Sequence, residues 1–434
     1  VAFIGAGGKT ALMVTLAYEL AEAGWRVLAT TTVGLDAHQL EVMPIALPVD
    51  AGRAAISEAL TRTGFVFLHD GIARGRVRAV QPRAFRQLLD EVDSDVLLVE
   101  ADVSDGKSVK APKPGEPLIP LDTTLVVPVA SMAALGQSLD AQHVYNVEAI
   151  IERYGFAEGT RIKAAWLAQI LRDETLGLRG VPPGVRVTPF LNQTPMRGYG
   201  RGRARVVAKL ALKSPRLRSV VIGSVRGAQP VCEVQRPVGA VVLAAGLSTR
   251  MGQSKMLLPW SDGRTIIEHI IDQLVKARVD HITVVTGYQA KEIKALLKPL
   301  EIDVIYNKNY RTGEMLSSIK LGISELPAHM AAAMIVMGNQ PRIQPKVIYQ
   351  VMTAYAENDC DLVVPSYQMQ RGYPILLGRR HWGELLSLPS DGSLAQVMNT
   401  HNERIFYVNA DNDSVLRDVD TPQDYREERW RAGL

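Results

Sequence analysis

The sequence predicts an α/β protein of two domains, each built on a largely parallel sheet with crossover helices. Two observations predict it. Short apolar runs alternate with segments of helical period along the whole chain, the pattern of strands joined by helices. The chain has 434 residues, more than one ordinary core accommodates, and the alternation restarts after the Pro/Gly-interrupted stretch RGAQPVCEVQRPV at 226–238. Domains are therefore expected over 1–228 and 238–434, with a linker between them.

Composition narrows the function. Hydrophobic residues at 47% and charged residues at 22% exclude wholesale disorder. Lys and Arg exceed Asp and Glu by 49 to 45, a net charge of +4 that is too slight to predict a nucleic-acid partner. Two cysteines, Cys232 and Cys360, exclude a disulfide framework and a thiolate metal cage. No apolar run reaches the ~18–20 residues that span a bilayer, so no membrane partner is expected and the cytoplasm is the expected compartment. The chain opens on Val1-Ala2-Phe3-Ile4 with neither initiator Met nor charged leader, so upstream residues are expected to be missing.

In the first domain, strands are expected at 1–5, 25–31, 65–70, 95–102, 124–129, 186–192 and 219–225. A helix over 10–23 places Leu12, Met13, Leu16, Ala17 and Leu20 on one face. Between the first strand and that helix lies GAGGKT, at 5–10. This is the grammar of a P-loop-like site. Gly5, Gly7 and Gly8 free backbone N–H groups for phosphate, Lys9 reaches the β and γ phosphates, and Thr10 offers a hydroxyl to Mg²⁺. A full loop of this kind has Gly five positions before its Gly-Lys pair, where this chain has Phe3, so the loop is a shortened variant.

The strand at 95–102 delivers Glu100 and Asp102 at its end, where carboxylates hold a nucleotide's Mg²⁺ or cap the next turn. Thr30, Thr31 and Thr32, ending the second strand, either bond phosphate or satisfy their own turn. The stretch 197–218 carries eight basic residues and no acid, which suits an anionic ligand or a solvated face.

GAGGKT, the ATTT strand end, VEADVSDGKSVKAPKPGEPLIP and VVPVASMAALGQSL resemble the YqeC-type accessory proteins of selenium-dependent molybdenum hydroxylases, from residue 1 to about 225. The resemblance implies a nucleotide-binding maturation factor taking ATP or GTP, with an apo molybdenum hydroxylase as partner. Lys110 and Glu116 match family positions, and Val103 replaces the family's glycine after Asp102.

In the second domain, strands are expected at 239–244, 281–286, 303–306, 333–337, 361–365 and 404–408. The first runs straight into LAAGLSTRMGQSK, at 243–255. Leu243, Ala244, Ala245 and Gly246 are the candidate nucleotide-binding residues: small Ala244, Ala245 and Gly246 let backbone approach a base and phosphates, and Arg250 and Lys255 bring two cations to a leaving pyrophosphate.

This half resembles the molybdenum cofactor cytidylyltransferases, a branch of the MobA-like NTP transferases, across about 238–428. The matching segments are LAAGLSTRMGQSKMLLPW, VVTGYQ, YNKNYRTGEMLSSIKLGI, MGNQPRI, RGYPILLGRRHW and RDVDTPQDY. The resemblance implies a Rossmann-like nucleotidyltransferase domain that joins CTP to molybdopterin with Mg²⁺. The LAAG form is that of the CTP-using enzymes. Asn307, Gly313, Ser317 and Ser318 match the segment lining the cleft, with a helix N-cap as the other reading of Ser317. Two departures stand out. Asn339 replaces the metal-binding Asp of the family's G-D-Q-P, leaving Asp420, or alternatively Asp418, as the metal carboxylate. Tyr373 replaces the His of G-H-P.

Overall fold

The computed structural model describes residues 1–300 and 302–434, which divide into two compact units, Val1–Gln235 and Arg236–Leu434. Among the described residues no helix is long and apolar enough to cross a membrane.

The first unit is a twisted sheet in the order Val231–Gln235, Val220–Gly223, Phe190–Asn192, Leu125–Ser131, Ala2–Gly5, Val96–Glu100, Val27–Thr31, Phe65–His69, Ala46–Pro48. Every pairing on this path is parallel except the first. The runs that form the centre are buried on both faces, as Leu28, Phe65, Phe67 and Leu98 are, because helices cover both sides. The helix Lys9–Glu22 packs Met13, Val14 and Ala17 against this sheet.

The linker expectation is corrected here. Val231–Gln235 lies inside the stretch read as linker, yet it is an antiparallel strand on Val220–Gly223. Its inward face carries Glu233 and Gln235 rather than apolar side chains, so no hydrophobic alternation announced it. Glu233 is 1% exposed and accepts from Arg201 Nε at 3.1 Å and Arg205 Nε at 3.0 Å. The basic stretch is thus partly structural: Arg216 likewise pairs with Glu174 and with the carbonyls of Val181 and Pro182. The strand expected over 186–192 is broken into Arg186–Val187 and Phe190–Asn192, with Pro189, which has no N–H to donate, at the interruption.

The second unit orders its sheet Asp303–Tyr306, His281–Thr286, Val238–Ala244, Ala332–Met337, Ile375–Gly378, Leu362–Tyr367, Gln370–Arg371, with Ile405–Asn409 also on Leu362–Tyr367. Ile375–Gly378 runs antiparallel to both of its neighbours, an element the sequence reading did not contain. Around this reversal the pattern is Rossmann-like, with parallel strands and the helices Ile266–Lys276, Met315–Glu325 and Pro345–Glu357 on the faces. The Ile266–Lys276 helix starts at a Thr265/Glu268 capping box and buries Ile266, Ile267, Ile270, Ile271 and Leu274. In both units the parallel strands deliver their following loops to one edge of the sheet, where α/β ligands bind.

Candidate functional site

At the carboxyl edge of the first unit, the chain turns from Ala2–Gly5 into the helix Lys9–Glu22 through three glycines of positive φ. All three are sterically required: a Cβ at Gly7 would lie 2.8 Å from the Ser131 backbone nitrogen. A Cβ at Gly5 would lie 2.3 Å from the Val129 carbonyl oxygen, and Gly8, at φ 118°, is the helix N-cap. No side chain caps that helix start, so its first N–H groups are left without a side-chain acceptor, as an anion site would need. Asn192 clamps the turn from the next strand but one, Phe190–Asn192: its Nδ2 donates to Gly7 O at 2.8 Å and its Oδ1 accepts from Val225 N at 3.1 Å.

Lys9 is 2% exposed and lies beneath the turn, donating to Gly5 O at 2.8 Å and Ser104 Oγ at 2.9 Å. Its ammonium is 3.6 Å from Glu100 Oε1 and 3.2 Å from Asp102 Oδ1. Thr10 donates to Glu100 Oε2 at 2.7 Å, and Asp102 Oδ2 accepts from Gly5 N at 2.9 Å. The expected residues Lys9, Thr10, Glu100 and Asp102 therefore meet around one turn. Burial pushes the Glu100 carboxyl above its usual range, against the pull of Lys9 and Thr10.

Lys110 joins the same cluster, 3.3 Å from Asp102 Oδ2 and 2.8 Å from Glu116 Oε2, while Tyr145 Oη donates to Glu116 Oε1 at 3.1 Å. Burial opposes ionisation of Glu116, but the Lys110 hydrogen bond and the Lys113 N–H outweigh it and hold the carboxyl low. The three threonines go the other way. Thr30, Thr31 and Thr32 donate to the carbonyls of Leu68, Val33 and Leu118, which favours the turn reading over phosphate binding. Ser104 and Asn192 reach the turn, and Tyr145 reaches Glu116, from outside GAGGKT, so no local sequence signal marks them.

In the second unit, Val238–Ala244 ends at the same kind of edge, between Ala332–Met337 and His281–Thr286. Leu243 is half-buried and Ala244 and Ala245 are buried, while Gly246 is exposed at the mouth of the loop. Ser248 folds the loop back, at φ 55° with its Oγ accepting from Lys255 N at 3.2 Å. This directs Arg250 and Lys255 to one carboxylate, Asp420: the guanidinium binds Oδ2 and the ammonium binds Oδ1.

Asn339, two residues beyond Ala332–Met337, donates through Nδ2 to Asp420 Oδ1 at 3.0 Å, and its carbonyl accepts from Val419 N at 2.8 Å. Asp418 instead accepts from Gln340 Nε2 at 2.8 Å. Burial works against an ionised Asp420, yet Lys255, Asn339 and Arg250 together hold it below the ordinary Asp range.

The remaining expected residues form a lateral wall. Asn307 is 4% exposed and donates to Ser317 Oγ and Ser318 Oγ, both at 2.9 Å. Gly313 N donates to Asn309 O at 2.6 Å. Ser317 is not the N-cap, since the helix begins at Met315 with Glu314 before it. Tyr373 sets its hydroxyl 3.9 Å from Met315 Sδ.

The Asp420 carboxylate and the Asn339 amide oxygen, available after rotation of the side chain, are adjacent hard donors. That set fits a divalent cation such as Mg²⁺ that completes its shell with phosphate and water.

Residues 1–148 match the family model described as YqeC protein, and residues 240–405 match the MobA-like NTP transferase domain. The uncharacterized protein YqeC of Escherichia coli is 28% identical over 193 residues, 44% of this chain and 75% of that protein. The molybdenum cofactor cytidylyltransferase of the same organism is 27% identical over 191 residues, 43% of this chain and 93% of that protein. Among solved structures, that of Rv0371c from Mycobacterium tuberculosis is 25% identical, spans 44% of this chain and 97% of that one, and has a TM-score of 0.41.

Proposed function

We propose that this chain, a YqeC-type unit followed by a MobA-like nucleotidyltransferase unit, matures molybdenum cofactor: the second unit transfers a cytidylyl group from CTP to molybdopterin. The observation that carries the proposal is the convergence of Arg250, Lys255 and Asn339 on Asp420, beside the loop 243–246.

In the reaction, an oxygen of the molybdopterin phosphate attacks the α-phosphorus of CTP in line, and the bond to the β-phosphate oxygen breaks. The products are the dinucleotide cofactor and pyrophosphate. The chain contributes position and charge rather than a covalent nucleophile. Arg250 and Lys255 exchange the Asp420 carboxylate for triphosphate oxygens and neutralise the leaving group. Asp420, released from them, and Asn339 would hold the divalent ion, which when bound supplies positive charge at the α-phosphate. Asn307 fixes Ser317 and Ser318 along the cleft, and Tyr373 forms part of the acceptor wall.

The first unit, in the same reading, binds ATP or GTP with Mg²⁺ on the turn Gly5–Gly8, with Lys9 turning from Asp102 to phosphate and Thr10 from Glu100 to the metal. An apo molybdenum hydroxylase is the expected recipient of the finished cofactor.

The test is pyrophosphate release and dinucleotide formation by the full chain with CTP, molybdopterin and Mg²⁺. Lys255→Ala should lower the rate by about 10²-fold or more, the scale of losing one transition-state charge contact. A parent that yields no dinucleotide with CTP overturns transfer. A second reading is favoured by Asn339 itself, an amide where the family carries a carboxylate: the second unit binds nucleotide and cofactor and delivers them without transfer. That reading expects CTP binding with no pyrophosphate release.

A further inference from the structure

We propose that His381, Glu384 and His401 form a binding site for a transition-metal dication of the Zn²⁺ class, remote from the nucleotide loop of the second unit. One ligand atom from each side chain lies within 4.8 Å of the others. His401 Nε2 and Glu384 Oε2 are 2.7 Å apart, and the rings of His381 and His401 have centroids 4.5 Å apart. Two pieces of chain bring them together, the continuous segment 379–387 and the end of a following helix. His381 ends the turn Arg379–His381, Glu384 lies in the short helix Trp382–Ser387, and His401 caps the end of Leu394–Thr400.

The donor chemistry selects the ion. Two imidazoles, borderline nitrogen ligands, with one carboxylate suit Zn²⁺ and its late first-row neighbours, whereas Mg²⁺ prefers oxygen alone. His381 is 4% exposed, so it supplies a fixed inner ligand, while Glu384 and His401 are half-exposed and leave an open side for water. Arg380 Nε donates to His381 Nε2 at 3.3 Å, a long bond, and the same guanidinium pairs with Asp361. A metal on that nitrogen would leave Arg380 to Asp361, so no buried charge is orphaned.

The position argues against a part in transfer. Gly378 pairs with Ala332 at the beginning of the strand Ala332–Met337, and Asn339 follows that strand's far end. At about 3.3 Å per residue the two sites are on the order of 20 Å apart. A metal here would tie together the two helices that carry Glu384 and His401, so its effect is on stability.

The experiment uses the full chain, stripped by chelator and dialysed into excess Mg²⁺ so that oxygen-rich sites are filled. Zn²⁺ is added by calorimetric titration and Co²⁺ by visible absorption. The expected result is one equivalent of Zn²⁺ that resists Mg²⁺, a Co²⁺ band of low coordination number, and a Tm that rises with Zn²⁺. His401→Gln and Glu384→Gln should each weaken this binding by about 10²-fold or more, since outer-shell losses alone reach that scale. Both positions are half-exposed and should keep the parent's circular dichroism; His381→Gln is the third variant. A parent with no Mg²⁺-resistant equivalent overturns the proposal, as does unchanged Zn²⁺ affinity in His401→Gln and Glu384→Gln.

Discussion

Asn339 donates its side-chain amide to Asp420, with 3.0 Å between Nδ2 and Oδ1. The amide therefore does for Asp420 what a second carboxylate could not do without metal: it satisfies the acid instead of repelling it. Asn339→Asp should lower the Tm of the metal-free chain, and added Mg²⁺ should restore it. If transfer is the reaction, the same variant should raise pyrophosphate release at limiting Mg²⁺ by up to about 10²-fold. An unchanged rate and an unchanged Mg²⁺ response would show that the charge at this position is not limiting.

The two nucleotide loops should be separable by ligand. In calorimetric titrations of the full chain, Lys255→Ala should weaken CTP binding by about 2 kcal/mol and leave ATP binding unaltered. Lys9→Ala should do the reverse. CTP affinity that falls with Lys9 rather than Lys255 would reverse the assignment of the two loops.

Lys9→Ala should also destabilise the first unit. Its ammonium lies against Glu100 and Asp102, both buried, and removing it leaves two acids without that cation. Loss of one partner from a buried pair costs about 3–5 kcal/mol. Urea unfolding followed by circular dichroism measures it, and a loss below about 1 kcal/mol would mean the acids release their charge by protonation.

Acid stability should carry a contribution from Asp173. Burial opposes its ionisation, but bonds from Thr175, Tyr154 and Arg153 outweigh it and hold the carboxyl at about 2. A depressed native pKa stabilises the fold above the unfolded value, near 3.9, and the contribution disappears as pH falls through about 2. Asp173→Asn should therefore lower Tm at pH 6 and match the parent near pH 1.5. A deficit that persists undiminished at acid pH would assign it to geometry rather than charge.

What the sequence disclosed and what it hid follow a physical division. Strands buried on both faces are legible as apolar runs: Phe65–His69 and Val238–Ala244 fall within a residue of where FVFLH and GAVVLA place them. Val231–Gln235 was hidden because its inward face is polar, and Ile375–Gly378 because ILLG, though buried throughout, is only four residues long and follows Pro374, too short for its period to mark it as a strand. Site residues divide the same way. Lys9 and Lys255 stand in contiguous motifs, whereas Asn192 reaches Gly7 across 185 positions and Ser104 reaches Lys9 across 95. Thr30, Thr31 and Thr32 had the composition of a phosphate site, but their hydroxyl protons go to carbonyl oxygens.

The strand Val231–Gln235 bears on how the first unit is to be cut free for expression. A truncation at 228, where the sequence suggests the domain ends, would strip Glu233 from Arg201 and Arg205 and uncover the long side of Val220–Gly223. An uncovered strand edge invites pairing with another chain, so that product should be recovered largely as aggregate. Ending at Gln235 keeps the sheet's own edge, and the seven extra residues decide between a usable reagent and inclusion bodies.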